Sequence, residues 1–262
     1  MNSTLASAPA PRAASTRPAE EPRAQRWFYT VATLLLLGLT LIGFHHFYFR
    51  GMAYPGRPLT PPIKTLVIAH SLAMSLWMLL ALAQPFLVAS GKRALHLALG
   101  RVGAVLAVVL VALGVKLGIA ACKVAPPGMM FGPLDVRQFM AIPVCTGLLF
   151  GLFVAAGVLW RKRPAAHRPM MFLASLAAVS AAIARIDPLN RLYQGGVFDR
   201  IFGVFFFSVL IGALFLAARC LVAKRFDRWF AGGWAAFALW AVLVTQIAPT
   251  PLWDSVAGVL LR

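Results

Sequence analysis

QPFLVASGKRALHLALGR, residues Gln84 to Arg101, decides the fold. A hydrophobic run closes at Ser90-Gly91, a short basic turn follows at Lys92 and Arg93, then comes His96 and a second hydrophobic run. The same order returns at Leu159 to Met171, LWRKRPAAHRPMM, where Arg161, Lys162 and Arg163 lead to His167. It returns again at Cys220 to Phe230, CLVAKRFDRWF, without a histidine. Runs of roughly 20 apolar residues cross a bilayer as helices, because a helix satisfies its own backbone hydrogen bonds in lipid. Three basic turns between such runs predict an all-α integral membrane bundle.

Composition agrees. The chain has 262 residues, of which 61% are hydrophobic and 12% charged, against about 25% charged in soluble domains. Its net charge of +18 comes from 25 Lys and Arg against seven Asp and Glu. In a soluble protein that excess would suggest nucleic acid. Here the basic residues sit mostly in short turns, where they set topology and meet anionic lipid headgroups. The lipid bilayer is the expected partner and nucleic acid is not. Cys122, Cys145 and Cys220 are scattered in or at the ends of apolar runs without CxxC spacing, as packing residues rather than a disulfide or metal framework.

Residues 1–26, rich in Ala, Pro, Ser and Arg, read as a disordered cytoplasmic tail. A membrane domain at 27–248 follows, with seven spans near 27–49, 64–89, 98–121, 137–160, 169–186, 200–222 and 231–248. Residues 249–262 read as a short interfacial helix, with Trp253 and the Leu260-Leu261 pair facing lipid. Lysine and arginine concentrate in the tail and the three basic turns, which predicts a cytoplasmic N-terminus and an external C-terminus. The Gly114/Gly118 and Gly147/Gly151 pairs predict close helix packing.

Five histidines fall into two layers on this topology. His45 and His46 close the first span near the outer face, and His70 lies about two turns into the second span from that face. His96 and His167 stand at the cytoplasmic entrances of spans three and five. Two such layers are what a carrier with two b-type haems needs, since each iron takes axial ligands from facing helices. The same residues also suit interfacial anchoring or helix-to-helix hydrogen bonding.

Span two carries His70, Met74, Trp77, Ala81 and Gln84 on one helical face. That inward seam suits a ligand, a quinone headgroup or water, or acts as interhelical glue. In span five His167 and Arg185 bracket the bilayer on one face, with alanines between them. Arg185 and Asp187, with Asn190, Arg191, Tyr193, Asp135, Arg137 and His70, suit a polar vestibule for an anionic group or form an ordinary interfacial charge set. Span seven has no lysine for a retinal Schiff base, and no HExxH, GxSxG or Walker loop occurs.

At Leu95 to Arg101, LHLALGR, and at His167 to Met171, HRPMM, the chain resembles an uncharacterised family of bacterial polytopic inner-membrane proteins. Members open one span with Leu-His-x-x-Leu-Gly-Arg and a later span with His-Arg. The resemblance covers about residues 70–187. It implies a helical fold in a bacterial cytoplasmic membrane and supplies no activity. Three functions stay open: a haem- or quinone-linked redox protein, a small-molecule binding or transport protein with a cavity between spans two and five, and a structural or assembly subunit.

Overall fold

The computed structural model describes residues 22–54, 57–59 and 61–262. Among them are seven helices long and apolar enough to cross a membrane. They are Arg23–Gly43, Lys64–Ala89, Arg93–Lys123, Val136–Leu159, Pro164–Ile183, Val197–Ala223 and Arg228–Ile247, called spans one to seven. The expected multi-span all-α bundle is the observed architecture. Two short antiparallel hairpins, Met52–Tyr54 with Arg57–Pro58 and Met130–Phe131 with Leu134–Asp135, lie in the links after spans one and three.

Span five is the axis. In its most apolar stretch 72% of residues are buried, against 17% in spans two and three. Its alanines explain the position, because small side chains let neighbouring backbones close in. Ala174, Ala177, Ala178 and Ala182 are all buried, and spans one, four, six and seven pack around them. At the other extreme, Val102, Val105 and Val108 of span three are 61–70% exposed. A stripe of that kind belongs against lipid.

The ends of the helices differ from the sequence expectation in ways that local chemistry explains. Span one breaks at Phe44 and resumes as a short helix, His45–Arg50, instead of running to residue 49. It begins at Arg23, so the last residues assigned to the tail are helical; residues 1–21 lie outside the described residues. Span five begins at Pro164, not near 169, since proline fits the first helical position; Pro169 lies inside the helix, where it removes the amide that would donate to the Ala165 carbonyl. Span three starts at Arg93 and has 31 residues, about 46 Å at 1.5 Å per residue, well beyond the roughly 30 Å hydrocarbon core. Span six is interrupted near its start, where Gly203, at φ +51°, ends the helix Val197–Phe202 before Phe206–Ala223 begins. Only glycine adopts that backbone readily.

The glycine pairs pack as expected in part. Gly118 faces Pro143 and Val144 of span four, and Gly151 faces Val111 of span three. Gly147 has open space beside it.

The C-terminal segment requires a correction. It forms a helix, Pro251–Leu260, but Trp253 turns inward and is only 6% exposed. Its indole donates to the Arg137 carbonyl at 2.8 Å, a bond that lipid cannot offer. Leu260 and Leu261 pack against the core, and Leu252, Val256 and Val259 face outward in their place.

Candidate functional site

The two histidines of the repeated motif meet. His96 lies in the first turn of span three and His167 in the first turn of span five, and their ring centres are 6.3 Å apart with the planes at 84°. Each ring is held from behind. The carbonyl of Gly157, in the last turn of span four, bonds His167 Nδ1 at 2.8 Å. A carbonyl only accepts, so Nδ1 carries a proton.

Gln84 of span two supports His96. With its amide nitrogen turned toward span three, it donates to the His96 carbonyl at 3.1 Å and lies against His96 Nδ1, while its oxygen accepts from the Gly100 amide at 3.0 Å. Both Nδ1 atoms are therefore engaged, but in opposite senses: that of His167 donates to a carbonyl, whereas that of His96 accepts from the Gln84 amide, which leaves the His96 ring proton on Nε2. Two imidazoles whose nitrogens lie about 2.0–2.1 Å from one shared metal put their ring centres roughly 6 to 6.5 Å apart when they face one another. Among the described residues no group of three or more His, Cys, Asp or Glu side chains could hold a metal ion. Two opposed imidazoles are the donor set of a haem iron, whereas a zinc site takes three or four protein ligands.

The outer layer is arranged differently. The rings of His45 and His46 lie against each other, 3.9 Å between centres, and His45 Nδ1 bonds the Ile42 carbonyl at 2.7 Å. Lost hydration, then the charges of His45 and Arg50, hold the His46 imidazole below its usual pKa, with Asp187 pulling the other way. His70 points at span three, where a side chain added at Gly114 would sit 3.5 Å from its Cε1. The Nδ1 atoms of His46 and His70 and the indole nitrogen of Trp77 are buried without a hydrogen-bond partner. Such groups cost about 1–3 kcal/mol each.

The inward seam of span two thus faces spans three and four. Trp77 is 2% exposed and meets Phe150 of span four edge-on at 4.8 Å. Arg185 stacks over the Phe44 ring at 4.8 Å and donates to the Ala181 carbonyl at 2.7 Å. Asp187 starts a one-turn helix, Asp187–Asn190. Asn190 donates to the Ala184 carbonyl and accepts from Tyr193, whose phenol burial pushes up to about 12. Arg137 is exposed and reaches the Asp254 carbonyl at 3.4 Å. With Asp135, Cys122 and the loop at Pro126–Met130 it lines a pocket of about 310 Å³ that His70 does not reach.

A second cluster escaped the sequence reading. Arg219, near the end of span six, is 5% exposed and bonds Asp227 through Nε at 3.4 Å. Its guanidinium lies over the rings of Phe28 and Tyr29 at 5.7 and 5.6 Å. Arg219 reads in sequence as one more topology-setting charge. The signal available was its place five residues before Lys224, still inside the predicted span.

Fold and site together define a seven-helix membrane protein with a histidine pair bridging two helices at its basic end. Comparison with protein-family models, with curated proteins and with solved structures finds no match.

Proposed function

We propose that this chain is a membrane redox protein holding a b-type haem between His96 and His167, at the cytoplasmic end of a bundle in a bacterial inner membrane. The supporting observation is the pair itself: perpendicular imidazoles from separate helices, at the separation a shared iron requires, each anchored through Nδ1. Bound there, a haem supplies a reversible one-electron couple. The chain's own residues ligate, orient and tune.

His167 already has the proton arrangement of an axial ligand, with Nδ1–H given to Gly157. For His96 to ligate through Nε2, its ring proton must move to Nδ1 and Gln84 must withdraw the amide that donates there. The outer histidines have no part in this single-haem reading.

The test is an absorbance spectrum of protein purified from haem-replete cells, oxidised and then dithionite-reduced. The wild type shows a Soret band that shifts on reduction. His96→Ala and His167→Ala lose it, and His70→Ala retains it. Gln84→Glu, a permanent acceptor for Nδ1–H, lowers the midpoint potential relative to Gln84→Leu. A colourless wild type sinks the proposal, and loss of the band in His70→Ala but not in His167→Ala moves the haem to the outer layer.

A further inference from the structure

Span one begins, span five begins and span six ends at the same end of the bundle, and they enclose a pocket of about 280 Å³. It is lined by Tyr29, Pro164, Ala165, Arg168, Arg219 and Arg225. Three of those six side chains are guanidiniums and none is acidic. We propose that this pocket binds a phosphate group, presented either by a lipid headgroup or by a soluble phosphate compound.

Two buried atoms point to a ligand. The Arg219 side chain is 6% exposed, yet only its Nε meets Asp227, and its NH1 nitrogen is buried without a partner. The Tyr29 hydroxyl, in contact with the same guanidinium, is likewise buried without a well-formed hydrogen bond. A guanidinium presents its donors as a planar fork that matches two oxygens of one phosphate. Asp227 and the two aromatic rings fix the plane of that fork, so its unused edge is preorganised. Tyr29 adds a hydroxyl donor, and the exposed Arg225 adds charge at the mouth. A phosphate oxygen satisfies both orphaned donors, each of which otherwise carries a desolvation cost.

The depth fits as well. Arg225 is exposed in the basic turn, whereas Arg219 lies below it on the helix. The pocket thus opens at the level where headgroups lie and reaches inward from there.

The full chain in detergent is titrated with inorganic phosphate while its melting temperature is followed. In parallel it is placed in nanodiscs of phosphatidylcholine with or without phosphatidic acid, and retained lipid is measured by native mass spectrometry. Arg225→Gln, an exposed change that leaves the fold intact, is the first variant. Arg219→Lys, which keeps the charge and loses the fork, is the second. Saturable stabilisation by free phosphate, weakened at least about fivefold in Arg225→Gln, identifies a soluble phosphate site. Selective retention of phosphatidic acid, lost in both variants while free phosphate has no effect, identifies a lipid site. If neither probe binds saturably, or if Arg225→Gln leaves both unchanged, the proposal is overturned.

Discussion

Gly43→Ala prevents accumulation of folded protein, whereas Gly38→Ala, five residues earlier on the same helix, leaves it unaffected. A Cβ built on Gly43 falls onto the backbone of span five, 2.5 Å from the Ala182 carbonyl carbon and 2.7 Å from its Cα, with the carbonyl oxygen nearer still. Backbone atoms have no rotamer to change. Spans one and five must separate, and span five is the most buried helix of the bundle. Overpacking ordinarily costs about 1–3 kcal/mol because side chains relax. With no such relief the cost here is about 3 kcal/mol or more, a large part of a typical stability.

Gly157→Ala makes an informative intermediate. Its Cβ meets Met171 Sδ at 2.5 Å, the far part of a flexible side chain that can turn away. Fluorescence-detected size exclusion after heating ranks the three variants. The order Gly38→Ala, Gly157→Ala, Gly43→Ala from mildest to most severe is expected, and a stable Gly43→Ala would show that spans one and five do not meet backbone to backbone.

How legible the molecule is from its sequence follows from the range of the interactions involved. The spans are legible because a run such as Val102 to Gly118 carries its own reason to be a helix in lipid, whatever surrounds it. The backbone approach of Gly43 to Ala182 is not, because it joins residues well over a hundred positions apart in the chain. His96 and His167 are legible as a pair because each opens a span after a basic turn, and hairpin topology returns such turns to one end of the bundle. That the rings lie 6.3 Å apart depends on how spans three and five are rotated, which no local pattern encodes. Trp253 departs from the sequence expectation for a related reason. Tryptophan is at home at a membrane interface, and only the Arg137 carbonyl, 116 residues earlier, turns it inward.

Asp227→Ser destabilises the protein by about 3–5 kcal/mol, the usual cost of leaving one member of a buried ion pair alone. Asp227 has two tasks. It accepts from Arg219 Nε, and it caps span seven by accepting from the Phe230 amide at 3.1 Å. Serine retains a capping oxygen and removes only the charge, so the loss reports on Arg219. The arginine cannot escape to water by rotating, since its side chain is 6% exposed and held over two aromatic rings. Arg219→Met in the Asp227→Ser background removes the stranded charge and fills similar space. The double variant is therefore expected to be more stable than Asp227→Ser alone, a strongly non-additive result of the kind contacting residues give. Thermal unfolding of the four proteins in one detergent closes the cycle. Simple additivity would mean that Arg219 and Asp227 act separately, with Asp227 contributing only as a helix cap.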